Sequence, residues 1–286
     1  MATSRPRLTP PESLHQQIAR NIRNEIEAGV LRDGQVLPST RDLAAQWNVS
    51  VFTISEAMKV LMEEGLVVSQ SRSRRVVRAP AQPVPRSEYR TAAPHVIFIG
   101  GFAGSGKTEL GRILARQTGW PMLDKDTLTR PVVEAALEVL GMSPNDRESD
   151  TYLDLVRPRE YEALLAATDE NVECGNSAIV TAPFLREFGD AAWISRTSAR
   201  LSKYRARVTL VWVFCDEPTM QAYIRHRGAA RDSAKLADWN GYIGRIGLDF
   251  RPVAPYELID NSASSSPLQE QSQELLKAIL ANEAGE

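Results

Sequence analysis

Eight residues restrict this chain more than any others: Gly101-Phe102-Ala103-Gly104-Ser105-Gly106-Lys107-Thr108. The spacing is G-x-x-x-x-G-K-T, a phosphate-binding loop. The flanks agree with it. His95-Val96-Ile97-Phe98-Ile99-Gly100 is short, apolar and β-branched, as a buried parallel strand should be. Leu110, Ile113, Leu114 and Ala115 then repeat at helical spacing up to Gly119. In such a loop, glycines let backbone N–H groups close around phosphate oxygens, and the helix N-terminus adds partial positive charge. Lys107 would reach the β- and γ-phosphates, and Thr108 would hold Mg²⁺.

The length of 286 residues suits two domains. Charge divides between them. Residues 1–90 carry 13 Lys and Arg against 9 Asp and Glu, a net +4, and the rest carries 21 against 27, a net −6. A basic N-terminal part on an acidic body suggests that only the former meets a polyanion. No run approaches the ~20 apolar residues of a membrane span, and Met1–Pro11 lacks the apolar core of a secretory signal. Cys174 and Cys215 are far apart, match no metal pattern and fit a reducing cytoplasm. His15, His95 and His226 are scattered.

In the N-terminal part, Leu14, Ile18, Ile22 and Ile26 fall four apart, which predicts a helix from about Ser13 to Ala28, ended by Gly29. Ser39 can cap a second helix with Leu43, Ala44 and Trp47 inward, and Ser50 a third with Ile54, Ala57, Met58 and Leu61 inward. Asn48-Val49 makes the tight turn of a helix-turn-helix. Leu66–Ser69 and Arg75–Arg78 read as two short strands around a basic turn. The whole is a winged helix-turn-helix, mostly α with a β-wing. Arg72, Arg74 and Arg75 could be a solvated turn, but their place on a wing favours contact with nucleic acid.

Leu37-Pro38-Ser39-Thr40-Arg41-Asp42-Leu43-Ala44, then Asn48-Val49-Ser50, Thr53-Ile54-x-x-Ala57 and Leu61-x-x-x-Gly65-Leu66 resembles the DNA-binding domain of GntR-family transcription regulators. The resemblance spans about residues 12–78. It implies a homodimer on a near-palindromic operator, with a recognition helix that starts at Ser50 and enters the major groove. Ser39 and Arg41 fall in the family's P-S-x-R motif, whose arginine contacts DNA. Val51 and Ser55 stand where the family often has arginine, and Ser71–Arg75 replaces its G-x-G wing. Val51 and Phe52 would then touch thymine methyls, Thr53 would offer a hydroxyl, and the wing arginines would take phosphates or the minor groove. A winged helix that binds protein instead of DNA is the competing reading.

Residues 81–93, proline-rich and aperiodic, read as a semi-rigid linker between residues 1–80 and 94–286. Beyond it, strands are expected at 121–124, 178–182, 208–214 and 256–260. Helices are expected from Pro131, from Pro158 to about Glu173, from Ala191 to Leu201, from Pro218 to about Arg227 and from Leu268. That alternation predicts a three-layer α/β domain on a parallel sheet. The third strand runs into Ala182-Pro183-Phe184, with no carboxylate of the kind found in motor ATPases. Carboxylates follow the second strand instead, at Asp124 and Asp126; they could serve catalysis and Mg²⁺, or cap the next helix. Arg225–Asp232 looks like a lid whose arginines neutralise a transferring phosphoryl group, or like a solvated helix face. Arg157 and Arg159 flank Pro158 at a helix start, where an anionic substrate could bind, but they read best as surface residues, and Ser262–Ser266 reads as a loop.

This arrangement resembles small-molecule kinases of the phosphate-loop class, such as gluconate kinases, chloramphenicol phosphotransferases and zeta toxins, and AAA-like ATP-binding domains, over about residues 95–282. The resemblance implies ATP held by Gly101, Gly104, Ser105, Gly106, Lys107 and Thr108. It makes Asp126 the candidate base, Asp124 a partner of Mg²⁺-bound water or of substrate, and Arg227 and Arg231 lid contacts. The combined expectation is a cytoplasmic transcription regulator controlled by a nucleoside triphosphate, a small-molecule ligand or both. The alternative is an active metabolite kinase carrying a DNA-binding module.

Overall fold

The computed structural model describes residues 13–70, 74–79, 91–228 and 232–284. Helix α1 (Leu14–Glu27) turns Ile18, Ala19, Ile22 and Ile26 inward. In α2 (Thr40–Trp47), the Ser39 Oγ accepts from the Asp42 N–H at 3.2 Å while the Asp42 carboxylate accepts from the Ser39 N–H, a reciprocal cap. Asn48 takes the left-handed conformation that an Asn tolerates and turns the chain into α3 (Val51–Glu63), where Ser50 caps the Thr53 N–H at 3.0 Å. Strands β1 (Val67–Ser69) and β2 (Arg75–Val77) pair antiparallel, and Gln35–Leu37 adds to the wing edge through Val36 opposite Val76. Leu37, Leu43, Ile54, Met58, Leu61 and Val77 close a core beneath them.

The C-terminal part is built on β3 (His95–Gly100), β4 (Met122–Asp124), β5 (Ala178–Thr181), β6 (Arg207–Phe214) and β7 (Glu257–Asp260). They form one sheet of order β4-β5-β3-β6-β7, with every pairing parallel. The helices are α4 (Lys107–Thr118), α5 (Lys125–Val139), α6 (Arg157–Glu173), α7 (Leu185–Phe188), α8 (Ala191–Ser202), α9 (Glu217–Arg227), α10 (Ser233–Ala237), α11 (Trp239–Ile246) and α12 (Leu268–Ala284). Two apolar clusters lie on opposite faces of the sheet, one around Phe98, Phe184 and Trp212, the other around Ile97, Leu110 and Leu276. Central β3 is buried along its whole length, which is why its sequence is a continuous apolar run. From β3 the chain passes to β4 at one edge, returns to β5 beside β3, and then crosses to β6 and β7 on the other side, so the crevice at the carboxyl end of β3 is where ligands bind in such sheets. Among the described residues no helix is long and apolar enough to cross a membrane.

The structure corrects two local expectations and adds one element. Helix α5 starts at Lys125, six residues before Pro131, because Asp124 caps it: its Oδ1 accepts from the Thr127 N–H at 2.9 Å and the Thr127 hydroxyl at 3.1 Å. Pro131 lies inside this helix. Ahead of α6, Tyr152–Val156 forms a π-helical turn. The Ser262–Ser266 loop is more than a connection: Ser262 is buried, and the Ser262 and Ser265 carbonyls accept from the Arg20 guanidinium of α1.

Candidate functional site

The phosphate loop joins β3 to α4 at the crevice. Gly104 and Gly106 have φ of 79° and 96°, where a side chain is strained. Space excludes one too: a Cβ on Gly104 would lie 2.7 Å from Ile224 Cγ1, and one on Gly106 would lie 2.2 Å from Asn261 Nδ2. Asn261, just past β7, donates to the Ser105 carbonyl at 3.1 Å and so props the loop from beneath. The first-turn N–H groups of α4 have no acceptor within the helix. Ser105 is fully buried, and its Oγ has no partner among the described residues. Lys107 Nζ donates to the Phe102 carbonyl at 2.8 Å. Burial, and then the charge of Arg227, bring its ammonium down to about 8; Asp126, Glu109 and Asp124 act the other way. A polyphosphate would fit this cradle and re-solvate that charge.

Asp124 ends β4 and faces the loop. Its Oδ2 accepts from the Thr181 hydroxyl at 2.7 Å and lies 3.5 Å from the Thr108 hydroxyl. These are hard oxygen donors with open coordination, which suits Mg²⁺, an ion that retains waters and shares substrate phosphates. Among the described residues no three His, Cys, Asp or Glu group into a protein-only metal cage. Asp126, in the first turn of α5, accepts from Lys125 Nζ at 2.9 Å. Lys125 is buried and also reaches Glu160 Oε1 at 2.7 Å. Glu160 in turn accepts from the Thr129 hydroxyl at 2.9 Å and the Tyr152 hydroxyl at 2.6 Å. Burial and this carboxylate push the Tyr152 phenol well above its ordinary range. Lys125, Glu160, Tyr152 and Thr181 are absent from the residues read off the sequence; the Asp-Lys-Asp run alone hinted at Lys125.

Two cavities meet at the loop. One, of about 340 Å³, runs past Phe102 and Ala103 towards Arg147, Arg157, Arg186 and Lys235. The other, of about 430 Å³, opens on the opposite side towards Arg112, Arg130 and Tyr223. Lys107, Thr108, Asp124, Asp126 and Arg227 line both. Arg227 is held at this junction by Asp232, a buried carboxylate that also takes Lys235 Nζ at 3.1 Å. Gly101 is left at the base of the loop, its N–H donating to the Pro183 carbonyl at 3.2 Å. Arg157 departs from its surface reading. It pairs with Glu187 at 2.8 Å, stacks 4.2 Å from the Tyr161 ring and lines the first cavity, whereas Arg159 is exposed and pairs with Glu162. Arg231 lies outside the described residues.

On the winged helix, Arg41, Val51, Phe52 and Arg74 are exposed, Phe52 at 74%. Ser39 and Ser50 spend their hydroxyls on helix caps, and Thr53 Oγ1 meets Ser50 Oγ at 2.8 Å. Arg75 folds back onto the Thr40 hydroxyl at 2.6 Å. Arg72 lies outside the described residues. The start of α3 is therefore the uncovered, chemically mixed end of this domain.

Comparison with known proteins places both parts. Residues 14–77 match the model of bacterial regulatory proteins of the gntR family. Residues 96–246, more than half of the chain, match the model of an AAA domain. A shikimate kinase from Moorella thermoacetica is 32% identical over 107 residues, which cover 35% of this chain and 58% of that protein. The HTH-type transcriptional regulator GgaR of Escherichia coli K12 is 42% identical over 59 residues, 21% of this chain and 23% of that protein. Among solved structures, a gluconokinase from Sinorhizobium meliloti aligns at a TM-score of 0.43 and 16% identity, over 66% of this chain and 95% of that one. The chain thus spans under two thirds of either curated relative. It belongs to the AAA-domain family through a kinase-like phosphate-loop domain, and it carries a gntR-family DNA-binding domain ahead of it.

Proposed function

We propose that the protein is a cytoplasmic, dimeric transcription regulator whose kinase-like domain binds Mg-ATP and a small anionic molecule, and whose hold on operator DNA depends on them. The observation that carries this reading is the pair of cavities sharing Lys107, Thr108, Asp124, Asp126 and Arg227. A phosphoryl donor and its acceptor need such an arrangement, one on each side of a common cluster of charge. In this reading Gly104, Ser105, Gly106 and Lys107 hold the phosphates, while Thr108 and Asp124 hold Mg²⁺, which would neutralise phosphate charge. The other cavity takes the anionic molecule. Among the described residues, Arg147 donates to the Pro144 and Asp146 carbonyls and lies over the Tyr152 ring without an ion pair, and Arg186 has no ion pair either, so both are open to a carboxylate or phosphate. On the winged helix, Arg41 and Arg74 take DNA phosphates, and Val51 and Phe52 meet base edges.

Turnover is a second reading, favoured by Asp126 lying at the junction beside Lys125. Asp126 would take the proton of an acceptor hydroxyl as its oxygen bonds to the γ-phosphorus and the bond to the β-bridging oxygen breaks. Arg227 would stabilise the charge that develops on the phosphoryl oxygens.

The test is operator binding by the full-length protein, with and without saturating Mg-ATP and a panel of small carboxylates and sugar phosphates. A ligand-dependent shift in affinity, absent in Lys107→Ala, is expected. Superimposable curves would remove the sensing role. Radiolabel transfer from γ-labelled ATP to a panel member, lost in Asp126→Ala, would establish the kinase. DNA binding that ignores salt would point to a protein-binding wing instead.

A further inference from the structure

We infer that the winged helix supplies one wall of the nucleotide site, with Asn21 and Asn24 of α1 and Gln46 of α2 contacting the nucleoside of a nucleoside triphosphate. This rests on the reading of the phosphate loop as a nucleotide site, and it adds the residues that would recognise the base and ribose.

The larger cavity begins at Gly104, Gly106 and Lys107 and is closed on its far side by Asn21, Asn24, Glu25, Val30 and Gln46, all from the DNA-binding domain. Its volume of about 430 Å³ lies within the range of about 300–1,000 Å³ usual for small-molecule sites. A triphosphate anchored on the loop must extend its nucleoside into one of the two cavities. The smaller is crowded with arginine and lysine and suits an anion. In the larger, Arg112 and Arg130 are balanced by Glu25 and Glu109, and amides are added that suit the neutral donors and acceptors of a base and ribose. The nucleoside therefore belongs against α1.

The side chains there are unfinished as hydrogen-bonding groups. Asn21 is 4% exposed, and its Oδ1 has no partner among the described residues. Such an atom has given up its water without a replacement if it is left unpaired. Asn24, 1% exposed, donates to the Tyr223 hydroxyl at 3.3 Å and accepts from Gln269 at 3.4 Å, both long. Against this wall, His226 Nδ1 also lacks a partner among the described residues. Buried amides of this kind on a surface helix are explained by a ligand that completes them.

The wall is held where the ligand needs it. Arg20 fastens α1 to the Ser262–Ser266 loop. His226 of α9 stacks on Trp47 of α2 at 3.9 Å between ring centres and meets Glu25 of α1 at 2.8 Å. The next residue on α9 is Arg227, which lines both cavities. A nucleotide bound here would bridge the two domains and touch the helix that joins them. By linkage, any change it makes in operator affinity is matched by the effect of operator on nucleotide affinity.

The experiment measures binding of Mg-ATP and of Mg-tripolyphosphate to the full-length protein, to Asn21→Ala, to Gln46→Ala and to Lys107→Ala. Gln46 is exposed on its helix, so its replacement leaves the fold undisturbed and covers the case in which Asn21→Ala does not fold. Asn21→Ala and Gln46→Ala are each expected to weaken Mg-ATP about five- to tenfold and to leave tripolyphosphate unchanged, because it has no nucleoside. Lys107→Ala should weaken both. If the folded α1 and α2 variants bind Mg-ATP as the parent does, or lose both ligands equally, the composite wall is overturned while the phosphate loop stands. If the parent binds neither ligand, or Lys107→Ala changes neither, the nucleotide reading itself fails and the wall with it.

Discussion

Lys125 and Glu160 allow a quantitative test of how the site is held together. Lys125 is 5% exposed and Glu160 2%. Their ion pair at 2.7 Å is therefore almost wholly removed from water, and the two partners are not equally provided for. Replacing Lys125 by Met leaves a buried carboxylate with, among the described residues, only the neutral Thr129 and Tyr152 hydroxyls as donors. Stranding a buried charge in this way costs about 3–5 kcal/mol. Replacing Glu160 by Gln leaves Lys125 with Asp126 at 2.9 Å, a carboxylate whose side chain is 35% exposed and partly hydrated. The ammonium keeps a counter-ion, so the expected loss is smaller, about 1–2 kcal/mol. Lys125→Met combined with Glu160→Gln removes both charges and should recover part of the larger deficit, giving a coupling of about 2–3 kcal/mol. For a unit of 150–250 residues each kcal/mol moves the midpoint by about 2–4 °C, so Lys125→Met should melt about 6–20 °C below the parent. Four of the five tryptophans lie in the C-terminal part, so tryptophan fluorescence of the whole chain reports its unfolding. The reasoning is refuted if Glu160→Gln destabilises as much as Lys125→Met, or if the two losses simply add.

Two further outcomes follow from the loop. The Lys107 ammonium stands at about 8 when no polyphosphate is near, and a bound polyphosphate raises it. Binding therefore takes up a proton above pH 8. Mg-ATP affinity should be flat from pH 6.5 to 7.5 and fall by up to about tenfold per pH unit above 8, with calorimetric heats that depend on the buffer's ionisation enthalpy. Constant affinity up to pH 9.5 would refute the assignment. Gly106→Ala meets both a φ of 96° and Asn261 Nδ2 at 2.2 Å, whereas Gly141→Ala meets a φ of 73° and open space. The Gly141 variant should lose about 1 kcal/mol by thermal unfolding, the Gly106 variant at least twice that together with nucleotide binding. Equal losses would mean that the Asn261 contact is not restrictive.

The parts of this molecule that were legible in the sequence are those determined by neighbours in the chain. The strand, loop and helix around Gly101–Thr108, the caps at Ser39 and Ser50, and the left-handed turn at Asn48 all involve residues within a few positions of one another. The cap at Asp124 is equally local, yet Pro131 masked it by suggesting a later start for the helix. The glutamate that completes the Lys125 pair lies 35 residues on, and the threonine beside Asp124 lies 57 residues on. The packing of α6 on α5 brings the glutamate there, and the pairing of β4 with β5 the threonine, and spacing carries no record of either.

Helix α1 shows the same limit and also what can be gained from it. Its apolar stripe, Ile18, Ile22 and Ile26, predicts one buried face, and that face packs in the winged-helix core. By the same pattern Arg20, Asn21 and Asn24 belong to the solvated face, yet all three are buried. A surface helix has no reason of its own to bury an arginine and two asparagines on the side away from its core. Arg20 is accounted for by two carbonyls of the Ser262–Ser266 loop. Asn24 is accounted for in part, by long hydrogen bonds, and Asn21 Oδ1 has no partner among the described residues. The polar face of α1 is thus covered by the kinase-like domain but incompletely satisfied by it, and the unmet groups lie beside the cavity that opens from the phosphate loop. A ligand shared between the two domains resolves both facts together. It would also give a DNA-binding domain a direct physical reason to respond to what that loop holds.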